Sequence, residues 1–211
     1  GSVTLTLTTI GNGTCNTYTD QMVITFLDAP TVDLGSDVTY CADVGTFSLS
    51  PSTMNSTGFT WTTSGSGTFT PDANTEMASY TPNVIDTANG SVTLQLEVTN
   101  GNGCSTYSDD LLVTFTPAPT VAAGSDITTC KDISSVPISG NVTTATGGNW
   151  TTSGSGTFNP SSSSLSSNYI PSTADTTAGS VILTLSTTGN GTCNTYTDQI
   201  TITFTEIPTV S

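Results

Sequence analysis

The chain has no histidine and no arginine, and its single basic side chain, Lys131, faces 16 Asp plus Glu. A surface of that sign repels phosphate, which excludes nucleic acid as a partner and disfavours anionic lipid. Without an imidazole, a cysteine nucleophile lacks its usual base, and a zinc site is left to thiolates alone. No run of about 18 apolar residues is present, so no helical membrane span is expected. Leucine and alanine are sparse, and no window places apolar residues at helical spacing between caps. What remains is rich in Thr, Ser, Gly and Asn. Threonine suits half-exposed strands, and Gly, Asn and Ser suit the turns between them, so the chain reads as all-β.

A step of 89 residues organises it. Pro30, Pro119 and Pro208 stand 89 apart, as do Cys41 and Cys130, Trp61 and Trp150, and Tyr80 and Tyr169. The same step relates Cys15, Cys104 and Cys193, then Tyr18, Tyr107 and Tyr196, then Asp20, Asp109 and Asp198. "WTTSGSGTF" is identical at 61–69 and 150–158, and "GNGTCNTYTDQ" at 11–21 and 189–199. Such a period is too long for a solenoid turn and right for a β-sandwich. Residues 1–29 therefore read as the C-terminal part of a preceding repeat. Residues 30–118 and 119–207 read as two complete immunoglobulin-like repeats, and 208–211 as the start of the next.

Within a repeat, Val92, Leu94, Leu96 and Val98 alternate with polar residues, which is the period of a strand with one buried face. Val181, Leu183 and Leu185 repeat it. A Gly-Asn turn follows. The return strand carries Leu111, Val113 and Phe115, matched by Ile200, Ile202 and Phe204 and by Met22, Ile24 and Phe26. Earlier strands are expected near Phe47–Leu49, Phe59–Thr63 and Ser79–Thr81, about seven in all. The hairpin in 1–29 lacks early strands of its own, so an exposed apolar face is expected there.

The five cysteines form an early class, Cys41 and Cys130, and a late class, Cys15, Cys104 and Cys193. Disulfides explain them better than catalysis or metal ligation, and point to an oxidising, extracellular setting. Two pairings fit the period. Within repeats, Cys41 would join Cys104 and Cys130 would join Cys193, leaving Cys15 without a partner. Between repeats, Cys15 would join Cys41 and Cys104 would join Cys130. The first is preferred because each domain then folds independently.

Trp61 and Trp150 could be sugar-stacking platforms, but their place in mid-strand favours core packing against a disulfide. Tyr80, Tyr107, Tyr169 and Tyr196 read likewise as packing or corner residues. The recurring carboxylates (Asp37 with Asp126, Asp43 with Asp132, Asp86 with Asp175) read as turn formers. Calcium needs several converging oxygens. Asp28, Asp33 and Asp37 cluster near one junction, but only Asp126 stands in the matching stretch of the next. No cofactor is expected, with weak Ca²⁺ binding as the most the carboxylates allow. No metal site is assigned. A duplicated sandwich rarely offers the cleft that paired carboxylates need for glycoside hydrolysis, so the chain does not read as an enzyme.

The order "PTV…GSD…C…GGNWTTSGSGTF…AGSVILTLSTTGNGTC" resembles the immunoglobulin/PKD-like repeats of giant Bacteroidetes surface proteins, the SprB-type gliding-motility adhesins. The resemblance covers both full repeats and the leading partial one. It implies type IX secretion, display on the bacterial cell surface as a long filament, and a role in attachment or gliding. Partners implied are neighbouring repeats of the same chain and a surface or glycan ligand. The resemblance also marks Asp86-Thr87-Ala88 and Asp175-Thr176-Thr177 as O-glycosylation motifs, with sugar on Thr87 and Thr176. A carbohydrate-binding module array is the alternative from another class.

Overall fold

The computed structural model describes residues 1–11, 13–101 and 103–206. Residues 208–211, expected to open a further repeat, lie outside the described residues. A leading hairpin, β1 (Ser2–Thr8) and β2 (Thr19–Thr25), pairs antiparallel with Ser2 opposite Thr25 and Thr8 opposite Thr19.

The first repeat supplies β3 (Thr31–Asp33), β4 (Val38–Cys41), β5 (Phe47–Ser48), β6 (Ser52–Met54), β7 (Gly58–Thr63), β8 (Thr68–Thr70) and β9 (Ser79–Thr81). A short helix, α1 (Val84–Asn89), then leads to the long strands β10 (Ser91–Thr99) and β11 (Tyr107–Thr116). The second repeat has the same series: β12 (Thr120–Ala122), β13 (Ile127–Cys130), β14 (Val136–Ser139), β15 (Asn141–Thr143), β16 (Gly147–Thr152), β17 (Thr157–Asn159) and β18 (Ser166–Ile170). It closes with α2 (Thr173–Ala178), β19 (Ser180–Thr188) and β20 (Thr197–Thr205).

Two compact units divide the chain, and their boundary does not follow the 89-residue step. One gathers Gly1–Asp37, Thr46–Asn83 and Val92–Leu112; the other gathers Val38–Gly45, Val84–Ser91 and the chain from Val113 on. The second repeat lies wholly in the latter and shows its architecture in full. One sheet has the order β13-β20-β19-β16, a second β14-β18-β17, and β12 pairs with β15. In the first sheet β19 runs antiparallel to both β16 and β20, while β13 runs parallel to β20. The first repeat has the equivalent orders β4-β11-β10-β7, β5-β9-β8 and β3-β6. Both repeats are immunoglobulin-like β-sandwiches.

The core follows the alternation in the sequence. Val181, Leu183 and Leu185 from β19 meet Ile200, Ile202 and Phe204 from β20, Trp150 from β16, Val136 and Ile138 from β14, and Tyr169 from β18. Ser180 and Ile182, out of phase by one residue, are exposed. Burying a large apolar side chain contributes about 1.5–3 kcal/mol, so this double row carries much of the fold.

Among the described residues nine strands form per repeat rather than about seven, because three-residue pieces such as β3 and β6 are too short to show a period. The apolar spacing predicts no helix, and the two that form among the described residues are six residues each, too short to carry an apolar stripe. Capping sets α2 instead. Ser172 accepts from the Asp175 N–H, Asp175 returns a bond from the Ser172 N–H, and Gly179 closes the helix at φ 84°.

Candidate functional site

The candidate site is built from a strand end and a hairpin in the second compact unit. β4 runs parallel to β11 with Cys41 opposite Thr116, and the chain turns there: the Ala42 N–H donates to Thr116 O at 2.8 Å, and the Val44 N–H to Cys41 O at 2.9 Å. The turn presents Asp43 to solvent. The other half is the loop between β19 and β20. Gly189 and Gly191 take positive φ of 67° and 62°, which lets the chain reverse. Thr187 fixes the return, its N–H donating to Tyr196 O at 2.9 Å and its hydroxyl accepting from the Tyr196 N–H at 3.0 Å.

Cys41 and Cys193 form a disulfide across these halves, with their Cα atoms 4.7 Å apart. Around it the Tyr196 hydroxyl donates to the Asp43 carboxylate, and the Thr116 and Thr192 hydroxyls lie 3.0 Å apart. Hydrogen bonding to Asp43, helped by burial and by the carboxylate's charge, raises the Tyr196 pKa above the ordinary phenol value. The sulfurs of Cys41 and Cys193 lie beside the Asp43 carboxylate in a grouping of metal-ligand type. In the bonded form, however, neither sulfur is the thiolate that a metal requires. The arrangement is a covalent clasp.

Neither expected pairing is present. Cys41 joins Cys193, 152 residues away, while Cys15, Cys104 and Cys130 are unbonded. The reason lies in the parallel strand. Cys41 stands at the Thr116 end of β11, whereas Cys104 precedes Tyr107 at its start. A ten-residue strand spans roughly 30 Å, far beyond the Cα separation a disulfide tolerates. Cys130 lies opposite Thr205 and Cys193 precedes Thr197, so Cys130 and Cys193 are parted the same way along β20. The alternative Cys15–Cys41 and Cys104–Cys130 scheme fails because Cys41 is already bonded and the other three are thiols.

The tryptophans are core residues. Trp61 and Trp150 are 2% and 1% exposed, so neither offers a sugar platform. Trp150 Nε1 donates to Leu165 O at 3.2 Å, and Trp61 Nε1 to Thr75 O at 3.1 Å. The rest of "WTTSGSGTF" surrounds a buried tyrosine. Thr152 Oγ1 lies 3.0 Å from the Tyr169 hydroxyl, as Thr63 Oγ1 lies 3.1 Å from that of Tyr80. The Gly67 N–H donates to the Tyr80 hydroxyl at 3.1 Å. A β-carbon at Gly67 or Gly156 would overlap that phenol and a main-chain oxygen. Tyr107 and Tyr196 differ from this pair: Tyr107 is exposed, and Tyr196 serves the clasp.

The repeated carboxylates hold main chain. Asp109 accepts from the Leu34 N–H and Asp198 from the Ala123 N–H, each at 2.8 Å. Asp37 accepts from Leu112 N–H, and Asp126 from Thr201 N–H. The Ala123 bond, followed by that of Gln199, lowers the Asp198 pKa. Asp175 is buried, which alone would raise its pKa. The N–H groups of Ser155 and Ser172 and the hydroxyls of Tyr169 and Ser172 outweigh burial and lower it. Tyr169 donates to it at 2.7 Å. Lys131 Nζ lies 2.5 Å from Glu206 Oε1, an exposed pair of small worth.

Thr176, half-buried, turns its hydroxyl to the Thr173 carbonyl at 3.2 Å, and Thr87 turns its own to Val84 O at 3.2 Å. The Asp of each motif is buried. Sequence reasoning missed the pairing of Asp43 with Tyr196. Its one signal was that both residues flank a cysteine at fixed distance, two after Cys41 and three after Cys193.

No family model matches the sequence, and no curated protein does. Among solved structures the chain is similar to the D00-D0 domain of intimin, at 10% identity over 83% of this chain and 99% of that one, with a TM-score of 0.40. An I-band fragment of titin is 13% identical over 86% of this chain and 67% of that one, with a TM-score of 0.42. Drosophila N-cadherin EC1-4 is 14% identical over 89% and 52%, with a TM-score of 0.41. These likenesses are low, and the fold assignment rests on the strand orders given above.

Proposed function

We propose that this chain is a segment of a structural and adhesive repeat array displayed at a bacterial cell surface, where it spaces and presents binding ends. The observation that supports this most is the Cys41–Cys193 bond, which joins a residue of one repeat to a residue of the next. A tandem chain closed in this way cannot lengthen between those residues while the bond holds. At about 3.3–3.6 Å per extended residue, 152 residues store roughly 500 Å of contour. Resistance to extension is useful in a tether and irrelevant to a catalyst. Disulfide formation also agrees with an oxidising, extracellular setting.

Export by type IX secretion, a part in gliding, and O-glycosylation at Thr87 and Thr176 belong to the same proposal and rest on the sequence resemblance. The carbohydrate-binding alternative loses its main support, because both tryptophans are buried. We take no cofactor to be needed, so the melting temperature should be the same in Ca²⁺ and in chelator. The deciding experiment is antibody labelling of intact source cells. Labelling without permeabilisation supports display, and labelling only after lysis overturns it. Intact mass of native material equal to that of the bare chain would remove the glycosylation.

A further inference from the structure

The two halves of the clasp recur along the chain. The early half is Cys41 with Asp43 and Thr116; one repeat later the same residue types stand as Cys130, Asp132 and Thr205. Its turn recurs as well. The Lys131 N–H donates to Thr205 O at 3.0 Å and the Ile133 N–H to Cys130 O at 3.2 Å, as Ala42 and Val44 do around Cys41. The late half is Thr192, Cys193 and Tyr196. It recurs as Gly103, Cys104 and Tyr107, and two repeats back as Thr14, Cys15 and Tyr18. There too the frame is kept: the Tyr18 N–H donates to Thr9 Oγ1 at 3.0 Å, as Tyr196 does to Thr187. Cys130 and Cys15 are exposed thiols and Cys104 a half-buried one. Each therefore repeats a position at which this same chain already makes a bond.

We propose that Cys41–Cys193 is one link of a repeating covalent latch, in which the early cysteine of each repeat bonds the late cysteine of the repeat after it. Cys130 is then an open early half whose partner is the late cysteine of a following repeat. Cys104 and Cys15 are open late halves, each matched to the early cysteine of the repeat before its own. The end-to-end argument excludes closure within a repeat, since β11 and β20 hold the two classes roughly 30 Å apart. Two thiols give one disulfide, two protons and two electrons. A small-molecule disulfide such as oxidised glutathione accepts them and leaves as two thiols. The identity of the natural partner rests on the tandem-array reading, whereas the latch geometry does not.

The test extends the full chain after residue 207 with a second copy of 119–207, marked by Thr195→Ser so that its cysteine peptide has its own mass. After refolding with oxidised glutathione and alkylation, non-reducing peptide mapping is expected to show Cys41–Cys193 and a second bond from Cys130 to the marked peptide. Cys15 and Cys104 should be alkylated. Cys130 left alkylated in the folded product, or bonded to Cys104 or Cys15, overturns the latch. In the 211-residue chain itself, Cys193→Ser should leave Cys41 alkylatable, and a Cys41–Cys104 bond there would overturn it independently. Asp132→Ala in the extended chain should shift the glutathione concentration for half-closure by about fivefold, the worth of one hydrogen bond. Absence of surface display would sink the array reading and leave these bonds untouched.

Discussion

Residues 11–21 and 189–199 are identical in sequence, and each ends in the second strand of an antiparallel hairpin, β2 or β20, yet the two hairpins have opposite fates. Leu7 is 76% exposed, whereas its counterpart Leu185 is fully buried; Phe26 is 59% exposed against 4% for Phe204. The local structure is shared down to the Thr–Tyr bonds that frame each turn. What differs is the opposing sheet. Val136, Ile138 and Tyr169 of the other sheet cover the second hairpin, with Trp150 beside it on β16 of the same sheet, while every residue of β1 and β2 is exposed. Pattern and turn chemistry form the hairpin, and only non-local strands turn its apolar face into a core.

The largest difference should come from the cysteines. Closing a loop of 152 residues is worth about 5 kcal/mol in the chain-entropy model, so Cys193→Ser should cost several kcal/mol in urea unfolding of the second repeat. Cys15→Ser should cost nothing measurable, because Cys15 is exposed and unbonded. Equal losses would break the comparison.

Next in size are the leucines. Leu185→Ala should destabilise by about 2–5 kcal/mol through lost burial and a cavity, and Leu7→Ala by less than about 0.5 kcal/mol. Denaturant midpoints measured side by side decide this. Tyr169→Phe then removes a donor from a buried carboxylate and should cost about 1–3 kcal/mol. Tyr18→Phe, on an exposed ring, should be neutral.

The smallest effect is in acid. Asp175 and Asp198 have folded pKa values below their ordinary one, so their contribution is complete above about pH 4 and is lost as pH falls through the folded values. Asp175→Asn and Asp198→Asn together should flatten the melting-temperature curve below about pH 4. An unaltered acid limb in the double variant would remove the role given to these carboxylates.

Much of this was legible along the chain. The buried rows Val92–Val98 and Val181–Leu185, the return strands and the core tryptophans follow from a period of two and a step of 89. The short helices were not legible, because a six-residue helix is set by its caps rather than by an apolar face. Asp43 and Tyr196 were not legible as a pair either, since 153 residues separate them.

The sequence by itself determined the repeat, the strand positions and which face of each strand is apolar, because these depend on neighbours a few residues apart. Tertiary structure alone decided which copy of an apolar face is covered and which cysteines meet. The physical reason is strand direction. Pairing β4 parallel to β11 sends the early and late cysteines of one repeat to opposite ends of their sheet, so the bond Cys41 makes reaches into the next repeat.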